Sequence, residues 1–217
     1  MAENISLIES ELGMRRTNNF GKYLGVPIIS DRRDKRAFDY VIDKVLSKLS
    51  GWKARSLFLA GRLTLINSVT SAIPTHLMQC NLLLSKFCSE LDRINRNFLW
   101  GNSSSCKKMH NVSWDVVTLP KHLGGLGIRK SLARNKALLA KRVWALRTNF
   151  CDAWAETLRK KYPITYSATK RKSLVWASIQ KANIICDKGT RWLIKNRESI
   201  RIWLDDWIGH DPIRKLL

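Results

Sequence analysis

Apolar residues recur at helical rather than strand spacing along most of the chain. Phe38, Val41, Ile42, Val45, Leu46 and Leu49 fall at i, i+3, i+4, i+7, i+8 and i+11, the stripe of an amphipathic helix over about 35–49. Asp31 to Asp34 supply turn and N-cap chemistry before it, and Gly51 stops it. A second helix of about 58–73 buries Leu59, Leu63, Ile66, Val69 and Ile73 and closes at Pro74. Gly61 within it costs about 1 kcal/mol relative to Ala, so close packing is expected around it. A short apolar segment over 76–84 leads to Ser85, the candidate cap of a third helix reaching Trp100, with Phe87, Leu91, Ile94 and Phe98 on one face. Further helices are predicted over about 131–148, 153–161 and 173–185. The first of these takes Leu138, Leu139, Val143, Trp144 and Leu146 as its core face.

Period-two patterning is confined to short stretches. FGKYLGVPII (20–29) alternates around Gly21, Gly25 and Pro27 and reads as a short strand or hairpin. VSWDVV (112–117) is a strand-like piece inside a loop region over 106–128, and TRWLI and SIRIW flank a polar turn as a C-terminal β-hairpin. The expected fold is therefore mainly α: a helical bundle with a short N-terminal β-hairpin and a small C-terminal one.

Charge changes the picture most. The 217 residues carry 39 Lys and Arg against 17 Asp and Glu, a net charge of +22. Between Lys44 and Cys151 the acids are Glu90, Asp92 and Asp115, set against eighteen basic residues. An excess of this size and clustering points to a polyanionic partner. No apolar run approaches the ~18 residues of a membrane span, and MAENISLIESELG lacks the pattern of a signal peptide, so no membrane role is expected and the location is read as intracellular, in the nucleus. Five cysteines at irregular spacings read as reduced thiols. Cys106 and His110 stand at C-x3-H spacing with His122 further on, but no CxxC pair completes a zinc site, and no metal is expected.

Catalytic chemistry is hard to find. Trp203-Leu204-Asp205-Asp206 has an aromatic-x-Asp-Asp outline, but two-metal polymerase chemistry needs carboxylates from two separate strands, and no upstream partner strand is recognisable. Asp206 is read instead as closing a turn. No Ser, Cys or Thr sits in a nucleophile motif, and His76, His110, His122 and His210 are dispersed. The glycines of GGLG (124–127) lack the lysine of a P-loop and read as a sharp loop into the next helix. The chain is thus expected to be a binding module or part of a larger enzyme.

An ordered set of words carries a more specific signal: KYLGVPI (22–28), LSGWKA (49–54), AGRLTLINSV (60–69), NFLWGN (97–102), VSW (112–114), PKHLGGLGIR (120–129) and NKALLAKRVW (135–144). In this order and spacing the chain resembles the C-terminal half of the reverse transcriptase of plant LINE-type, non-LTR retrotransposons. GTRWLIKNRESIRIWLDDWIG (189–209) is similar to the segment before the zinc-binding region of those polyproteins. The resemblance runs from about Gly21 to Pro212. It implies a residual primer-grip hairpin over 1–30, with Lys22, Tyr23, Leu24 and Gly25 near the primer end. It further implies a helical thumb over 31–102, a loop and basic helical connection over 103–163, and a helix and hairpin over 164–217 before a zinc-binding region. The Leu-Pro frequent in the family is Leu84-Ser85 here.

The family's fingers, palm and catalytic aspartates, and its ribonuclease H domain, find no match. By resemblance the chain is a non-catalytic fragment without cofactor, the Mg2+ belonging to the palm, and its partners are an RNA–DNA hybrid or RNA together with the parent's palm and zinc-binding regions. Backbone contacts suffice for such a ligand, since an A-like duplex is recognised by shape and phosphate. The candidate phosphate contacts are Lys53, Arg55 and Arg62 at a first corner, Arg129, Lys130 and Arg134 at a second, and Lys107, Lys108 and Lys121 between them. Two other readings stay open: a stand-alone, retrotransposon-derived nucleic-acid-binding protein, and a scaffold whose Trp-rich faces bind protein.

Overall fold

The computed structural model describes residues 10–13, 38–51, 56–102, 108–148, 152–162 and 172–190, and the backbone alone of 22–23 and 26–27. The described residues are mainly helical, as the apolar spacing requires. Lys22–Tyr23 (β1) pairs antiparallel with Val26–Pro27 (β2), Lys22 opposite Pro27 and Tyr23 opposite Val26. A ladder of two residues a side adds little stability of its own. The predicted C-terminal hairpin lies outside the described residues. The chain divides into two compact units, Met1–Leu77 with Arg93–Val117 and Met78–Asp92 with Thr118–Leu217.

In the first unit, α1 (Asp39–Leu49) buries Val41, Val45 and Leu49, while Leu46, placed on the predicted stripe, is 45% exposed. The second predicted helix is not uniform. It runs as α2 (Leu59–Leu65), widens into a π turn (Ile66–Thr70) and ends in turns over 71–74, where Pro74 is expected to close it; α3 (Thr75–Cys80) follows in the short apolar segment. Ser71 N–H donates to Ile66 O at 2.9 Å, the i→i−5 bond of the wider turn. Pro74 has no N–H to return to Thr70 O, and the break lies there. Instead, the Thr70 hydroxyl lies 3.0 Å from Ile66 O and 2.9 Å from Asn95 Oδ1, sharing its one proton in a buried site. Leu59, expected in the core, is half exposed at the start of α2; the buried positions from α2 to α3 are Ile66, Thr70, Pro74, Leu77 and Met78. Gly61 is a packing residue: a Cβ there would stand 3.1 Å from Leu57 Cδ2.

Helix α4 (Ser85–Trp100) has its predicted bounds, but Ser85 is its first helical residue rather than its cap, and Cys88 N–H returns to Leu84 O at 3.1 Å. Its residues up to Asp92 belong to the second unit and those from Arg93 to the first. VSWDVV is not a strand. Trp114–Val117 forms a short helix, α5, started by Ser113, whose carbonyl accepts from Val117 N–H at 3.1 Å and whose hydroxyl lies 3.4 Å from Val116 N. Short apolar runs do not by themselves separate helix from strand, and the capping serine decides.

The second unit is built on α6 (Ser131–Thr148), α7 (Ala153–Lys161) and α8 (Leu174–Gly189). Leu139 and Val143 of α6 meet Ile179, Ala182 and Cys186 of α8 in its core, with Leu82, Leu146, Leu158, Val175 and Trp176 packed around them. The buried face of α6 is Ser131, Asn135, Leu139 and Val143 at strict i, i+4 spacing. Trp144, expected in the core, lies about 100° around the helix from Val143 and is 50% exposed.

Irregular backbone over 81–84 meets residues near the starts of α6 and α8, where its polar groups need partners. Asn135 Nδ2 donates to Met78 O and Asn81 O, both at 2.8 Å, and its Oδ1 accepts from Leu83 N–H at 2.9 Å. Ser178 Oγ accepts from Leu82 N–H at 2.9 Å. At the other ends of the same helices Arg147 pairs with Asp187 and reaches Asn183. The two helices therefore run parallel, held by polar ties at both ends. Tyr162 stacks on Trp176 at 4.6 Å, and its hydroxyl accepts from Ser173 N–H, the cap residue of α8.

Candidate nucleic-acid interface

Positive charge is concentrated at and along α6. Lys130 enters the helix, its carbonyl accepting from Arg134 N–H at 3.0 Å, and Lys141 follows Arg134 after seven residues. At 3.6 residues per turn these three fall within a strip about 40° wide, well away from the buried face. Lys130 and Lys141 are exposed and Arg134 is half-buried. Burial, and then the like charge of Arg129, lower the Arg134 pKa from its ordinary value. The Arg129 and Arg134 guanidiniums thus raise the local potential together, as a phosphate site requires.

The start of α6 is not itself an open anion site. Asp92 of α4 occupies it, with Oδ1 accepting from Ser131 N–H at 3.0 Å and from Ser131 Oγ at 2.6 Å. This carboxylate caps the helix and offsets at most one of the three charges of Arg129, Lys130 and Arg134. A phosphate must therefore be met by side chains. The GGLG loop before it is likewise closed: Gly124, Gly125 and Gly127 N–H donate to Lys121 O, Pro120 O and Leu119 O. Gly124 and Gly127 have φ of 83° and 73°, and a Cβ on Gly125 would stand 2.0 Å from Leu119 O. These glycines fold the chain back on itself and leave no amide cradle. Lys121 lies with its aliphatic stem over Gly127.

The first corner looks different. Arg62 is half-buried, and its Nη1 donates to Leu99 O at 3.5 Å. Gly101, at φ 71°, lies so close that a Cβ there would stand 2.1 Å from Arg62 Nη1. The guanidinium thus sits at the C-terminal end of α4, where exposed carbonyls favour a cation. Lys108 is exposed, and its backbone N–H donates to Asn102 Oδ1 at 3.0 Å. Asn102 Nδ2 reaches Asn97 Oδ1 and His110 Nε2, and the His110 ring stacks on Trp100. Lys22 and Tyr23 have described backbones only, and Gly25, Lys53, Arg55 and Lys107 lie outside the described residues. Among the described residues no group of His, Cys, Asp and Glu could hold a metal ion, and no helix is long and apolar enough to cross a membrane.

The chain is similar to two proteins of Arabidopsis thaliana. Over 199 residues, 88% of this chain, it is 34% identical to one named "Putative ribonuclease H protein", of which the match covers 32%. Over 143 residues, 63% of this chain, it is 28% identical to an "Uncharacterized mitochondrial protein", of which the match covers 93%. No family model matches the chain. The chain spans about a third of the length of the first relative and most of the second.

Lys141 belongs to the strip but stands outside the residues singled out from sequence, as does the cap Asp92. The spacing of Lys130, Arg134 and Lys141 was the available signal for the first. For Asp92 there was none, because it comes from a helix 39 positions away.

Proposed function

We propose that this chain binds the sugar–phosphate backbone of an RNA–DNA hybrid or RNA, as the thumb and connection region of a LINE-type reverse transcriptase, and is not catalytic by itself. The observation that carries this reading is the strip of Lys130, Arg134 and Lys141 on an exposed face of α6, in a chain of net charge +22. A relative named as a ribonuclease supports nucleic acid as the ligand class. On this reading the β1–β2 ladder is the primer-grip hairpin, the chain derives from a plant retroelement, and it acts in the nucleus. Titration of an RNA–DNA hybrid with the purified chain at several salt concentrations tests it. Affinity should fall linearly on logarithmic axes with a slope of at least about 2, reporting three or more phosphate contacts. Affinity indifferent to salt would sink the proposal, and primer extension by the purified chain would overturn its non-catalytic part.

A second reading, a stand-alone nucleic-acid-binding protein, is favoured by the mitochondrial relative. That protein is scarcely longer than the region it shares with this chain. It should then bind the hybrid at full strength without a polymerase partner, and the same titration with and without a separately supplied palm region distinguishes the two.

A further inference from the structure

A cavity of ≈ 240 Å3 in the second unit is lined by Gln79, Leu138, Lys141, Arg142, Asp152 and Trp154. Its size is below the ~300–1,000 Å3 of pockets for drug-sized ligands, which restricts it to one small group. Lys141 belongs at once to this cavity and to the strip with Lys130 and Arg134, so the strip leads into the cavity. The Arg142 guanidinium lies over the Trp154 ring, 5.2 Å from its centroid, and its Nη2 donates to Gln79 Oε1 at 3.4 Å. A guanidinium held in this way is a flat, charged platform on which a base can stack.

We propose that this cavity takes the base of one unpaired nucleotide of a strand whose phosphates lie along Lys130, Arg134 and Lys141, a step that rests on the backbone-binding reading above. The base stacks on the Arg142–Trp154 pair. Lys141 meets its phosphate, and the Asp152 carboxylate accepts from an amino group on the base, a role no cation can fill. The lining excludes simpler occupants. A bare anion would gain nothing from the indole and would be opposed by Asp152, and an apolar ligand would have to desolvate two cations and a carboxylate.

The test compares the full chain binding a blunt RNA–DNA hybrid with its binding to the same hybrid carrying a short cytosine overhang, at one salt concentration. The overhang should strengthen binding at least about fivefold, the lower end of what one stacked base contributes. Trp154→Leu and the milder Gln79→Ala should remove or reduce that gain and leave blunt-duplex affinity unchanged. Cytidine monophosphate should also shift the Trp154 indole N–H resonance of the unmodified chain, a readout independent of any variant's folding. If the blunt hybrid binds with a steep salt dependence while the overhang adds nothing and the nucleotide shifts nothing, the cavity proposal is overturned and the backbone reading survives. If neither hybrid binds, both fall.

Discussion

The two basic corners of this chain use their positive charge in opposite ways. At the first, Arg62 turns its guanidinium toward Leu99 O and the backbone of Gly101, so its charge meets the carbonyl end of a helix. At the second, the helix end is already satisfied by Asp92, and Lys130 and Lys141 stand exposed. In the one the carbonyl end of a helix receives the cation; in the other a carboxylate caps the start of a helix beside which the cations stand. Counting positive charges along a sequence treats the corners as equivalent. What separates them is which group, the helix or something outside it, receives the charge.

The largest effect that tests this contrast is on the platform beneath the second corner. Asn135 is fully buried and makes three hydrogen bonds to the 78–83 backbone. Asn135→Ala strands one amide and two carbonyls and should cost about 3 kcal/mol or more, read by urea unfolding. A loss below about 1 kcal/mol would mean that the 81–84 segment does not depend on this residue. Next comes the strip itself. Lys130→Ala, Arg134→Ala and Lys141→Ala combined should lower the salt slope of hybrid binding by about 2 to 3, with little change in stability beyond the part-buried Arg134. Arg62→Met should do the reverse, costing about 1 kcal/mol of stability while leaving the slope in place. A slope reduced by Arg62→Met as much as by one strip residue would show that this guanidinium leaves the helix end to meet phosphate, and the contrast between the corners would collapse.

The same contrast explains how far the sequence could be read. Spacing and its breaks place α4, α6 and α7 at their observed bounds, although the buried face of α6 is half polar and α7 buries Ala155 alone. Over 58–73 the close at Pro74 is legible, but the spacing does not show that the last helical turn before it widens into a π turn. Hydrophobicity assigns Trp144 to the core, while Ser131 and Asn135, polar and buried, hold positions that face inward. Polar residues that satisfy a distant backbone break an apolar stripe without breaking the helix, and nothing local in the sequence reveals their partner. The basic strip was legible once α6 was accepted as a helix. The fate of Arg62 was not, since it depends on a carbonyl 37 residues later in the chain.

The smallest expected effect concerns the carboxylate that closes the second corner. Cys88 lies one turn before Asp92 on α4 and is 1% exposed. Burial pushes its thiol up to about 11, with the Asp92 charge adding to the rise. A thiol so raised is protonated near neutrality, and the thiolate is the form that reacts. Iodoacetamide at pH 8 should therefore leave Cys88 unmodified in the folded chain and label it in urea, read by peptide mass spectrometry. The sign of the pH dependence follows. The neutral thiol is favoured in the fold, so its contribution to stability is complete below the ordinary thiol pKa and is lost as pH rises from about 9 toward 11. Asp92→Asn removes only the smaller cause, so Cys88 should stay unlabelled in that folded variant even though the cap of α6 is weakened. Rapid labelling of Cys88 in the unmodified folded chain would mean that this part of α4 opens readily. The carboxylate could not then be holding the start of α6, and the contrast between a capped helix start and a helix end met by Arg62 would fail.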